Sequence, residues 1–177
     1  MHGGMSVSGW QADKRWSDKF LPEIKSILGT HLIAEPPVEE DQERNTDLMV
    51  LRMDAIRVGC RIRRADKYFA KYAKEFTIRT ARPKGTKTEL AKIIEGWGDY
   101  FFYGFGDDKT GKLVRWGLGD LRVFRLLFNS QIVKNNGRLP GIEKSNRDGS
   151  SDFRAFSWEK LPAAFRVANS WQDRNAA

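Results

Sequence analysis

Between residues 56 and 64 the chain alternates strictly. Ile56, Val58, Cys60 and Ile62 would line one face of an extended strand, and Arg57, Gly59, Arg61 and Arg63 the other. Side chains of a strand point to opposite faces with period two, whereas a helix would scatter both sets around its axis. The segment is therefore read as a strand with one apolar and one basic face. Asp47 opens a second extended run over 47–53, and Asp54-Ala55 is read as the turn that makes the two a hairpin. Charge reverses across this hairpin. Glu35, Glu39, Glu40, Asp41 and Glu43 precede it with only Arg44 opposing them, while from Arg57 to Lys87 the basic residues are opposed only by Asp66 and Glu75. Anions are drawn to the second region, and cations to the one just before it.

Helical spacing brackets the hairpin. Trp16, Phe20, Ile24 and Ile27/Leu28 recur on one stripe, Ser17 is placed to cap its start, Pro22 forces a kink or a late start, and Gly29 is placed to end it. His31 to Ala34 reads as a short strand, broken by Pro36-Pro37. Phe76-Thr77-Ile78 reads as a third strand with Thr77 and Arg79 on its polar face. Thr86-Lys87-Thr88-Glu89 then has the form of a capping box, followed by a stripe of Leu90, Ile93, Ile94 and Trp97 that Gly96 and Gly98 close. A buried strand over 100–105 follows. The turn at Asp107-Asp108-Lys109-Thr110-Gly111 returns the chain as a strand over 113–118, and Asp120 caps a helix bearing Leu121, Phe124 and Leu127/Phe128. Residues 130–152 read as a polar, flexible excursion, 153–158 as a strand and 159–168 as a short helix. The expected architecture is an α/β fold with strands and helices mixed around one sheet.

At 177 residues the chain suits one domain, large enough to bury about 68–70% of its unfolded surface. Residues 1–14, rich in Gly and Ser at their start, are expected to be disordered, with a dispensable leader before Met5, ahead of a domain over 15–177. With a net charge of +8, a polyanionic partner is favoured through long-range attraction and counterion release. Cys60 is the lone cysteine, so no internal disulfide forms, and it reads as a small buried hydrophobe in a reducing compartment. One Cys and two His cannot build a zinc site, and neither a dinucleotide fingerprint nor a Walker-type loop is present. No apolar window approaches the ~20 residues that span a bilayer, and the N-terminus lacks an apolar signal core, so no membrane association and a cytoplasmic location are expected. The aromatic run at Trp97, Tyr100 to Tyr103, Phe105 and Trp116 is read as core, leaving Trp10 and Trp171 as the candidates for exposed contacts.

An acid at the start of one strand, two polar residues one apart on its hairpin partner, then a strand, a helix and a buried strand resemble the PD-(D/E)XK nuclease superfamily. Within it the archaeal Holliday junction resolvase type is the nearest likeness, over roughly Trp16 to Phe105. The resemblance implies a restriction-endonuclease-like αβββαβ core with a C-terminal α/β extension. It also implies Mg²⁺ or Mn²⁺ held by Asp47 and a second acid, and hydrolysis of a DNA phosphodiester by a metal-activated water. Asp47 matches the family's Asp. Arg61-Ile62-Arg63 stands where the family has Glu-x-Lys, so the lysine-like position keeps its charge while the second carboxylate is missing. Glu23 matches, loosely, an acid that some members place on the first helix.

Two outcomes follow from that departure. In one, Glu35, Glu39, Asp41 or Glu43 folds over Asp47 to rebuild an oxygen cage, since Mg²⁺ needs only one or two protein carboxylates besides water and phosphate. Arg63 then positions the water or stabilises the transition state, and Arg61, Arg64, Arg79, Arg82, Lys84 and Lys87 hold the DNA backbone. In the other, the site is hydrolytically dead and the arginines clamp phosphates, because a guanidinium repels a metal but grips phosphate bidentately. A third class is a protein-interaction module whose acidic loop contacts a basic partner. Resolvase-like relatives usually dimerise, and the resemblance therefore carries the expectation of a homodimer.

Overall fold

The computed structural model describes residues 9–32, 56–81, 87–146 and 148–171. The chain divides into two compact units, residues 1–56 and 57–177. In the first unit α1 (Gly9–Asp18) and α2 (Leu21–Leu32) follow one another through a tight turn, with Phe20 N–H donating to the Ser17 carbonyl at 3.2 Å. Helix α1 covers residues 9–14, expected to be disordered. The Lys14–Asp18 pair at 2.7 Å spans one helical turn and supports it. Ser17 lies at the end of α1 rather than at a start, its hydroxyl donating to the Lys14 carbonyl at 2.9 Å. Pro22 sits in the first turn of α2, where its missing N–H costs nothing. The helix continues through Gly29 to Leu32, so His31 and Leu32 are helical and not a strand. Phe20 and Ile24 are buried.

The second unit is mixed α/β, and its strands form two sheets where the sequence suggested one. The first has order β1 (Val58–Arg64), β3 (Tyr100–Gly106), β4 (Leu113–Asp120), β7 (Arg166–Asn169), and the second β2 (Glu75–Ala81), β6 (Asp152–Ser157), β5 (Ile142–Ser145). β1 runs parallel to β3, with Arg61 beside Tyr103 and Arg63 beside Phe105. Parallel neighbours need a long crossover. Here the crossover contains the helical turn α3 (Phe69–Tyr72), β2 and α4 (Glu89–Ile94), which is why β2 is free to join another sheet. The expected hairpin partner of β1, residues 47–53, lies outside the described residues, as do 33–34.

Aromatic packing joins the two sheets. The Phe76 ring lies 4.7–6.3 Å from those of Phe101, Tyr103, Phe124, Phe156, Trp158 and Phe165. Helix α5 (Leu121–Lys134) closes this core with Leu121, Phe124 and Phe128, and Asp120 caps it as expected, accepting from Arg122 N–H at 2.8 Å. At Gly119 a Cβ would sit 2.3 Å from Phe165 Cζ, so only glycine lets that fully buried ring lie on the sheet.

Several expectations are corrected. Residues 130–134 complete α5 and 142–145 form β5, so the 130–152 stretch is not one excursion. The region 159–168 is a 3₁₀ turn (Ala163–Phe165) followed by β7, because Pro162 interrupts helical bonding and the edge of β4 offers a ladder instead. Trp97 is 60% exposed: α4 ends at Ile94, and Gly96 and Gly98, both at positive φ, turn Trp97 off the apolar stripe. Trp171 is half-buried against Trp158 and under the Arg115 guanidinium, 4.2 Å from its ring centroid. Cys60 is exposed rather than buried. Among the described residues no helix is long and apolar enough to cross a membrane.

Candidate functional site

Burial along β1 does not follow the expected alternation: Val58, Arg61 and Ile62 are half-buried, while Gly59, Cys60, Arg63 and Arg64 are exposed. Ile56, ahead of the strand, is 47% exposed and Cys60 is exposed, while Arg61 turns inward toward β2 and α4. A partner makes this tolerable. Arg61 Nη1 donates to Glu89 Oε2 at 2.7 Å and to the Thr77 carbonyl at 3.1 Å. The same Glu89 oxygen accepts the Arg79 backbone N–H at 3.0 Å, so one carboxylate ties β1, β2 and α4 together.

Glu89 is available for this because the cap lies elsewhere. Thr88, not Thr86, is the N-cap of α4, its Oγ1 accepting from Ala91 N–H at 3.3 Å, and Glu89 is therefore the first helical residue. The capping-box reading of residues 86–89 gave Glu89 a local role that it does not have. Its partners are distant in sequence, and no local spacing announces them.

Arg63 differs from Arg61. It is exposed, its Nη1 lies 3.5 Å from Thr77 Oγ1, and among the described residues it is in no ion pair. Thr77 is buried and its hydroxyl is 3.2 Å from that of Tyr103. Arg64 Nε is 3.4 Å from Asp108 Oδ2 on the β3–β4 turn. Arg63, Arg64, Thr77 and Tyr103 line a pocket of about 180 Å³ together with Glu75 and Lys144, which are paired at 3.0 Å. Lys144, on the strand that the sequence hid, also stands 4.7 Å over the Tyr72 ring.

The remaining candidates are placed as follows. Arg79 is half-buried on β2 and reaches the site through its backbone. Lys87 is exposed and paired with Glu95. Glu23 is in the first turn of α2, in the unit of residues 1–56. Asp47, Glu35, Glu39, Asp41, Glu43, Arg82 and Lys84 lie outside the described residues. Among the described residues no three His, Cys, Asp or Glu side chains gather as a metal would require, so the carboxylates named for Mg²⁺ or Mn²⁺ are those outside them, with Glu23. Compared with family models, curated proteins and solved structures, the chain matches none.

Proposed function

We propose that this protein binds nucleic acid by its phosphate backbone, through the basic end of β1, on a scaffold related to the PD-(D/E)XK nucleases. The supporting observation is the division of labour between two arginines on one face. Arg61 is neutralised by Glu89, whereas Arg63 is exposed with no carboxylate among the described residues and keeps its charge for an incoming anion. Arg64 lies beside it, and the net charge of +8 draws a polyanion toward any such patch. The guanidinium is suited to phosphate because its planar fork donates two parallel hydrogen bonds.

Metal-dependent hydrolysis of DNA is the second reading. The resemblance to the nuclease superfamily implies it, with Asp47 and an acid from Glu23, Glu35 or Glu43 as the cation ligands. Incubation of the pure protein with supercoiled, single-stranded and four-way-junction DNA in Mg²⁺, Mn²⁺ or EDTA separates the two. Binding that weakens steeply with salt and needs no metal supports the first. Nicking that requires metal and is lost in Asp47→Asn supports the second, and absence of any DNA retention at low salt removes both.

A further inference from the structure

We infer that the pocket beside Arg63 receives a single unstacked nucleobase, an inference that rests on the nucleic-acid reading above. The cavity is about 180 Å³. Pockets for drug-sized ligands run to roughly 300–1,000 Å³, so this one accommodates a group the size of one ring system. Half of the residues in its walls are aromatic, with Phe69, Tyr72, Phe105 and Phe153 among them. Phe153 is half-buried on β6 and, among the described residues, pairs with no other ring, so a base stacked on it would displace no aromatic partner.

Unused donors are available where Arg63, Thr77 and Tyr103 meet. Thr77 and Tyr103 are 6% and 2% exposed, and their hydroxyls share one hydrogen bond of 3.2 Å. That bond uses one of two protons. The second O–H meets no acceptor among the described residues, and Arg63 brings five N–H donors of which one makes a long contact to Thr77. What fits is a flat ring bearing carbonyl and ring-nitrogen acceptors. The O6/N7 edge of guanine is the partner a guanidinium reads bidentately.

A phosphate group suits the pocket less well. Asp66 and Glu75 stand in its walls, engaged with Tyr68 N–H at 2.8 Å and Lys144 at 3.0 Å respectively. The two carboxylates offset two of the three positive charges that Arg63, Arg64 and Lys144 bring to the lining, which leaves little net charge to hold a dianion and no barrier to a neutral base. Phosphates of the same strand would lie outside, along Arg63 and Arg64.

The test compares a guanine-containing single-stranded oligonucleotide with the same strand carrying abasic sites in place of the guanines, bound to the full chain at constant ionic strength. The intact strand is expected to bind about tenfold more tightly, the size of effect that base–aromatic stacking produces. Phe153→Ala and Tyr103→Phe should both shrink that ratio toward one. Tyr103→Phe removes a single oxygen, so its effect does not depend on a cavity being tolerated. Free guanosine should displace the intact strand down to the abasic level, and inorganic phosphate should not. Equal binding of the two strands by the wild-type protein overturns the pocket while leaving backbone binding intact. Displacement by phosphate as effective as by guanosine also overturns it, in favour of an anion site. Binding of neither strand overturns the nucleic-acid reading and this inference with it.

Discussion

Replacing Glu89 with alanine would separate a structural carboxylate from a functional one. The side chain is 31% exposed and its partner Arg61 22% exposed, so the pair is neither a surface ornament nor fully desolvated. Exposed pairs are worth about 0.2–1 kcal/mol, whereas breaking a fully buried pair costs about 3–5. Two bonds to one charged oxygen, at 2.7 Å from Arg61 and 3.0 Å from Arg79 N–H, put Glu89 between those limits. A loss of about 2 kcal/mol is expected, which for a chain of this size lowers Tm by about 4–8 °C. Urea unfolding followed by tryptophan fluorescence would give the same free energy from the midpoint shift.

The double mutant Arg61→Ala/Glu89→Ala gives the sharper reading. With both partners gone no unpaired charge is left behind, so the double mutant should be less destabilised than the sum of the singles by about 1 kcal/mol. If Glu89→Ala melts within about 1 °C of the parent protein, or if the single effects simply add, Glu89 is not the tie between β1, β2 and α4 and the assignment of Arg61 to structure fails. A carboxylate kept for chemistry would behave in the opposite way, because removing it relieves strain and leaves stability unchanged or raised.

Arg63→Ala should leave Tm unchanged while reducing the slope of log affinity for DNA against log salt by about 1, whereas Arg61→Ala should lower Tm; filter binding across a salt series with a parallel melt checks both. The Arg122 guanidinium and backbone N–H hold the Asp120 carboxyl below the usual range. With a depressed folded pKa, its contribution is present above the unfolded value of about 3.9 and is lost as pH falls through the folded value. Asp120→Ala should therefore cost about 1 kcal/mol at neutral pH and flatten the acid limb of a stability–pH profile below about pH 4. Gly119→Ala forces a methyl to within 2.3 Å of Phe165, whose ring is fully buried, and should cost about 1–3 kcal/mol by overpacking, readable as a lower urea midpoint.

The elements legible in the sequence are those whose signals are local. Asp120 ahead of an apolar stripe, and the Asp107-to-Gly111 turn between two strand-forming runs, each carry their explanation within a few residues, and both form as read. β5 was not legible: Ile-Glu-Lys-Ser has no alternation to speak of and exists because β6 offers it a ladder. Residues 159–168 misled for the converse reason, since Leu161, Phe165 and Ala168 have helical spacing while Pro162 and the free edge of β4 dictate another structure. Local periodicity ranks candidates, and tertiary hydrogen bonding decides among them.

The candidate site shows the same limit more sharply. A period of two sorts the residues of β1 into two faces but does not say which face is covered, and for arginines the default is outward. What turns Arg61 inward is a carboxylate 28 positions away that the capping-box reading assigns to a helix end. The two arginines, indistinguishable as a motif, thereby acquire different work: one is held between strand and helix, and the other keeps an unspent charge at the mouth of an aromatic pocket. It follows that Arg61, which stands where the expected motif would have a glutamate, is explained by packing, and that the proposal of nucleic-acid binding rests on Arg63.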